Sequence, residues 1–299
     1  MNIRRRALSL AAIAALSLAL VPTPALAAAV AGCAPGSGVS DILVGRDGSA
    51  REKDTGQPHA ELPPRAKGKA PANFSVTVPV WFHVVTDGSL GNLTSQQITA
   101  QMGALNDGFG GDEGGDDTGF SFTLAGVTRT ENPVWFGSQS AGAEHEMKHA
   151  LKRGRDGTLN VYTTSAGGLL GWAYLPEITD TAQAYLDGIV IDWETVPGAS
   201  DTWAGQFDEG DTLTHEAGHW LNLEHTFFGQ CNKSGDFVDD TPAQKKPSSG
   251  CPVGNDTCRQ PGSDPIHNYM DYSDDPCITE FTPGQTQRMG DAWLFWRAS

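Results

Sequence analysis

Basic residues are scarce in this chain: 20 Lys and Arg stand against 36 Asp and Glu, a formal net charge of −16. Sequence-independent nucleic-acid binding needs a basic surface that displaces counterions from phosphate, so that class of partner is not expected. Long apolar runs are missing after Val21, and no later segment has the roughly 20 apolar residues of a membrane-crossing helix. Cysteine is limited to five residues, so at most two disulfides form and one cysteine is left over. No internal repeat of supersecondary length occurs. The remaining composition, 38% hydrophobic and 8% aromatic, suffices for the core of a globular enzyme of one or two domains and argues against a disordered or fibrous chain.

The charge is unevenly spread. Residues 1–70 hold nine of the basic and five of the acidic groups, which leaves eleven basic and 31 acidic groups in residues 71–299. Such an acidic globule attracts hard cations and basic substrates, and it also keeps an exported protein soluble.

Arg4-Arg5-Arg6, an apolar run from Ala7 to Val21, and the A-x-A site Ala25-Leu26-Ala27 make residues 1–27 a signal peptide for export, so the mature protein is expected to be secreted and extracellular. Pro22, Pro24 and the cleavage site speak against an uncleaved anchor. Residues 28–70 are rich in Gly, Pro, Ala and charge with little apolar periodicity, which reads as a propeptide or linker. A globular domain follows over residues 71–299. Strands are expected over residues 74–85, 120–127, 159–163, 171–175 and 189–193. Helices are expected over 95–109, behind Thr94 or Ser95 as N-cap, over 141–153, and over 285–296.

His-Glu-x-x-His on a helix sets two imidazoles one turn apart on one face, where both can bind a Zn²⁺ ion, with the intervening Glu placed as general base. The pattern occurs twice, at His145–His149 and at His215–His219. The second copy has an apolar frame (Leu213, Ala217, Trp220, Leu221, Leu223), Gly218 leaving room beside the metal, and His225 six residues past His219. A third ligand there requires a sharp turn near Asn222, a residue type that accepts the left-handed conformation. The first copy is framed by Lys148, Lys152, Arg153 and Arg155, cations that compete with Zn²⁺; Glu177 is its one distant candidate ligand. Residues 144–153 read instead as a surface helix with Met147, Ala150 and Leu151 turned inward.

Together with Met270 in Asn268-Tyr269-Met270-Asp271-Tyr272, the extended motif His215-Glu216-x-x-His219-x-x-Asn222-x-x-His225 resembles the metzincin clan of zinc endopeptidases, and within it the small secreted microbial members of the pappalysin (M43) family. The resemblance spans roughly residues 74–297. One departure is Asn222, where the family carries Gly.

The resemblance implies an α+β fold: a mixed five-stranded sheet, a backing helix, an active-site helix, and a loop-rich, disulfide-stapled C-terminal subdomain from about residue 226, after an N-terminal subdomain of about 71–225. It implies one catalytic Zn²⁺ on His215, His219 and His225, with Glu216 polarising the attacking water. Tyr272 would stabilise the oxyanion and Met270 would form the Met-turn under the metal. Gly171–Pro176 would be an edge strand that pairs with a protein or peptide substrate, an interior strand with a Pro stop being the alternative. The family's pattern favours Cys231–Cys258 and Cys251–Cys277. Asp236, Asp240 and Thr241 would contribute to a structural Ca²⁺ site, against a solvated acidic turn.

For Cys33 the resemblance implies a cysteine switch that blocks the fourth zinc position and keeps a zymogen silent; Val30-Ala31-Gly32-Cys33 also fits a lipobox in which Cys33 is acylated, and a cysteine with neither role is the third alternative. Relatives often prefer a basic residue after the cut, which makes Pro64–Arg65 a candidate self-cleavage bond. The competing classes are a noncatalytic secreted module stabilised by zinc and calcium, against which Glu216 argues, and a hydrolase of non-peptide substrates. Sequons stand at Asn73, Asn92, Asn232 and Asn255.

Overall fold

The computed structural model describes residues 39–42, 61–137, 141–232 and 235–298. The signal peptide and Cys33 lie outside the described residues. Five strands of the globule form its sheet: β2 (Val76–Thr86), β3 (Phe120–Glu131), β4 (Leu159–Thr164), β5 (Gly171–Tyr174) and β6 (Ile189–Asp192). A sixth, β1 (Val39–Ile42), comes from the segment ahead of the globule, giving the order β1-β5-β6-β4-β2-β3. The pairs β2–β3, β2–β4 and β4–β6 are parallel, and β5 runs antiparallel to both β6 and β1. The mixed sheet implied by the resemblance is therefore present, with one strand added.

Alternation along β2 sends Val78, Val80, Phe82 and Val84, all fully buried, to one face of the sheet, where α1 (Ser95–Gly110) and α4 (Asp211–Trp220) pack. On the other face Val85, Tyr162, Trp172, Tyr174 and Val190 meet α2 (Pro133–Gly137) and α3 (Ala141–Leu151). Covering both faces explains why the central strands read as nearly continuous apolar runs. The helix α1 begins at a capping box, Thr94 with Gln97, and ends at Gly111 in the left-handed region. Ile98, Met102, Leu105 and Phe109 form its inward stripe. Gly108 lets α1 approach α4 closely, since a Cβ there would lie 2.9 Å from Thr214 Cγ2.

On α3, Met147 and Leu151 face inward as expected, but Ala150 is exposed and Lys148 is fully buried. The Lys148 ammonium is tolerated because it is paired: it lies 2.8 Å from Glu144 and donates to Leu186 O and Gly188 O.

After α4 the chain is mostly loop until α5 (Pro283–Ala292), which opens at a Thr282–Gln285 capping box and widens into a π turn over Trp293–Arg297. That turn carries Arg297 inward to Asp187, 3.0 Å away, with its guanidinium 3.6 Å from the Trp220 ring centroid. The loops are tied by disulfides Cys231–Cys258 and Cys251–Cys277.

The folded globule begins earlier than the composition suggests. Leu62 and Ala66 are buried against Ala292 and Trp296, and the backbone N–H groups of Gly68, Lys69 and Ala70 all donate to the Asp291 carboxylate. The Pro- and Gly-rich stretch is ordered by acceptors more than 220 residues away, which no local pattern reveals. The Pro64–Arg65 bond lies in a turn closed by Ala66 N–H to Pro63 O, with Arg65 over the Phe295 ring.

Candidate active site

The helix α4 carries His215 and His219 one turn apart, and a tight reversal after Trp220 brings His225 back to them. Asn222 supplies that reversal, with φ of 79°. Its N–H donates to His219 O and that of Leu223 donates to Gly218 O, the paired bonds that close a helix at a left-handed residue. The reversal is held from outside: Asn222 Nδ2 donates to Glu177 Oε1 at 3.2 Å, and Arg288 Nε donates to Asn222 O at 2.7 Å. Glu177 thus belongs to this turn and not to the first His-Glu-x-x-His copy.

The three ligand nitrogens converge. His219 Nε2 lies 3.0 Å from His215 Nε2 and 3.1 Å from His225 Nε2. Zinc–nitrogen bonds of about 2.0–2.1 Å in a tetrahedron set such nitrogens about 3.3 Å apart, so the spacing fits one zinc ion. Two rings are oriented from behind, His215 Nδ1 by Tyr269 O at 2.5 Å and His219 Nδ1 by Leu223 O at 2.8 Å, which turns the Nε2 lone pairs inward. Burial, then the neighbouring His219, hold His215 well below the usual imidazole range, and a neutral ring is the form that ligates.

Glu216, fully buried, faces β5. A Cβ at Gly171 would come within 3.1 Å of Glu216 Cγ and 2.9 Å of Val190 O, so glycine at the start of β5 makes room for the carboxylate. The sequence motif gives no signal for this residue. Gly218 does comparable work on the opposite side of α4: a Cβ there would fall 2.5 Å from Met270 Sδ. The space that Gly218 leaves is filled by the methionine.

Met270 is fixed by its own N–H to Asn268 Oδ1 and by Thr226 N–H to its carbonyl. Two residues on, Tyr272 sets its ring 4.9 Å from that of His225 and 5.9 Å from that of His215. Between them, Asp271 accepts from Ser248 N–H and Gln244 Nε2, and Gln244 Oε1 accepts from Thr226 Oγ1. Gln244 and Asp271 therefore lock the segments after the third histidine and after Met270 together, a role that sequence reading missed.

The first His-Glu-x-x-His copy does not converge. His145 and His149 instead bracket the Tyr185 ring, at 5.6 and 5.5 Å between centroids. Among the described residues the one other cluster of potential ligands is Cys251, His267 and Cys277, whose two sulfurs are joined in a disulfide.

Of the three expected calcium oxygens, the structure brings together two. Asp236 is buried beside the Thr241 hydroxyl, and burial pushes its carboxyl up to about 7 against the pull of Val238 N–H and Thr241. Asp240 instead caps α5, accepting from Thr282 Oγ1 and Gly284 N–H.

Residues 200–293 match the model of the peptidase M43 family, described as pregnancy-associated plasma protein-A. An extracellular metalloprotease of Arthroderma benhamiae is 46% identical over 230 residues, 75% of this chain and 74% of that protein. One of Neurospora crassa is 41% identical over 289 residues, covering 92% of this chain and 96% of that one. Among solved structures, mature mirolysin of Tannerella forsythia in complex with a cleaved peptide matches with a TM-score of 0.63 and 28% identity, over 75% of this chain and 96% of that chain. A promirolysin mutant of the same organism matches with a TM-score of 0.67 and 28% identity, over 77% and 83%. With its histidines converged on a metal position and relatives of this identity and coverage, the chain belongs to the peptidase M43 (pappalysin) family of metalloendopeptidases.

Proposed function

We propose that this protein is a secreted zinc endopeptidase made as a zymogen, with His215, His219 and His225 as zinc ligands and Glu216 as the general base. The observation that carries the reading is the convergence of three Nε2 atoms one residue from a buried glutamate that faces β5. Zinc held there would supply a Lewis acid that polarises the scissile carbonyl and acidifies water. Glu216 takes the proton from the attacking water and passes it to the leaving amine. The Tyr272 phenol donates to the carbonyl oxygen as negative charge develops on it. Met270 supports the histidines from below. The outer edge of β5 pairs with the peptide, and the acidic balance of residues 71–299, 31 acidic against eleven basic groups, favours a basic residue after the cut.

Latency is supported by β1, which takes the β5 edge in antiparallel register and sets Ile42 opposite Gly171, next to Glu216. A substrate strand cannot pair there until β1 is removed. The packing of Leu62 and Ala66 against Ala292 and Trp296 supports a maturation cut ahead of Glu61 over one at Pro64–Arg65. The likeness to promirolysin also supports a zymogen, and relatives named extracellular metalloproteases support secretion. A structural Ca²⁺ at Asp236 and Thr241 and a latency role for Cys33 belong to the same proposal.

Native intact mass of the secreted wild type beside Glu216→Ala tests it. The expected result is one zinc in both proteins, loss of the segment before residue 61 in the wild type alone, and retention of Cys33 in the variant. Identical N-termini would remove self-maturation from the scheme, and an acylated Cys33 would replace the switch with a lipid anchor.

A further inference from the structure

We propose that the cleft beside Tyr272 contains a subsite for an acidic side chain of the substrate, formed by Lys245 and Lys246. The proposal rests on the endopeptidase reading above and adds a second charge preference to it. Three observations carry it.

The first is position. A cleft of about 580 Å³ opens along Phe227, Phe228, Asn232, Lys245, Lys246 and Tyr272. Phe227 stacks on the His225 ring at 4.7 Å with 10° between planes, so the floor of the cleft is continuous with a zinc-binding histidine. Tyr272, at the other side of the cleft's lining, sets its ring 4.9 Å from that of His225 and 5.9 Å from that of His215, so the cleft reaches the histidine cluster.

The second is charge. Residues 71–299 hold only eleven basic groups against 31 acidic ones. Two of those eleven are adjacent here, and among the described residues no carboxylate lines this cleft. Both lysines are exposed. An acidic side chain lying along the cleft meets two ammonium groups, whereas a basic one meets their repulsion within an otherwise acidic protein.

The third is rigidity. The loop that carries the lysines is fastened at both ends to the active site: Gln244 Nε2 and Ser248 N–H donate to the two Asp271 carboxylate oxygens, and Gln244 Oε1 accepts from Thr226 Oγ1. Lys245 N–H donates to Thr257 Oγ1, next to the Cys231–Cys258 disulfide, and Pro247 follows Lys246. A loop tethered in this way holds its charges at a set distance from the scissile bond, which is what specificity requires.

The test uses fluorogenic peptides with arginine after the cut, in which Glu or Lys is placed in turn at each of the three residues before the scissile bond and at the second and third residues after it. The readout is the ratio of kcat/KM for the Glu peptide to that for the Lys peptide, taken within each protein so that any fold defect cancels. In active wild-type enzyme one position is expected to favour Glu by about fivefold to tenfold at low salt. The preference should shrink at about 1 M salt, where exposed charges are screened. In Lys245→Glu/Lys246→Glu the ratio at that position should invert. A wild-type ratio near one at every position, with the peptides still cut, would overturn the subsite and leave the endopeptidase reading intact. A Glu preference that survives the double substitution would also overturn it. Failure of the wild type to cut any peptide would overturn both.

Discussion

Replacing Gly218 with alanine tests how the active-site helix and the Met270 turn are joined. An ideal Cβ at position 218 falls 2.5 Å from Met270 Sδ, 3.4 Å from Met270 Cε and 3.5 Å from Leu223 Cδ1. Nonbonded heavy atoms rest at about 3.5–4.0 Å, so the sulfur must move by about 1 Å. Met270 is fully buried within the core cluster, so its movement displaces packed neighbours. Overpacking of this kind costs about 1–3 kcal/mol, while removing a glycine from a helix returns at most about 1 kcal/mol. A net loss of up to about 3 kcal/mol is expected, or a fall in Tm of up to about 12 °C for a domain of this size. The assay is urea unfolding at fixed zinc in a Glu216→Ala background, which prevents self-digestion under the proposed mechanism. A double-mutant cycle isolates the contact. Met270→Ala alone should cost about 2–5 kcal/mol, and in that background Gly218→Ala should turn neutral or stabilising, a coupling of about 1–3 kcal/mol. Additivity within about 0.5 kcal/mol, or a Gly218→Ala single variant about 1 kcal/mol more stable than its parent, would refute the argument.

Asn222→Ala should lose about 1–2 kcal/mol of stability and weaken zinc binding, because alanine resists the left-handed conformation; Asn222→Gly should retain both, as read by thermal melts with and without zinc. Burial alone would raise the Asp187 pKa, but Arg297 and Lys152 hold it below the usual carboxylate range, so its contribution is present above about pH 4 and lost as pH falls through the folded value. Asp187→Asn leaves Arg297 buried and unpaired, should cost about 3–5 kcal/mol at pH 7, and should flatten the acid limb of a urea midpoint–pH profile. Calcium chelation should lower the Tm of the wild type and leave that of Asp236→Ala unchanged. Asp240→Ala should keep the calcium response while losing about 1 kcal/mol of α5 capping, measured by the same melts.

Much of the site was legible because its chemistry is local. Ligands one helical turn apart and a residue that tolerates a positive φ sit within eleven positions, and the flanking leucines mark the helix as buried. The strands were legible for a similar reason, since two covered faces demand nearly unbroken apolar runs. Where reading failed, the controlling partner was distant. Ala150 fitted the inward stripe of α3 better than Lys148, until the carbonyls of Leu186 and Gly188, 38 and 40 residues away, joined Glu144 as partners of the lysine. Residues 61–70 looked like linker because their acceptor, Asp291, lies at the far end of the chain.

The sequence alone set out the three-histidine motif and the left-handed turn at Asn222, because both follow from spacing along a helix and its end, while the α+β class came with the family resemblance. Only the tertiary structure decided that Gly171 clears space for Glu216, that Met270 fills the gap at Gly218, and that Asp240 caps α5 while Asp236 stays beside Thr241. It also brought Lys245 and Lys246 to the cleft through Asp271, 23 to 27 residues away in sequence. Those outcomes depend on which distant backbone or side-chain groups meet, and burial makes each meeting specific by penalising every polar group left without a partner.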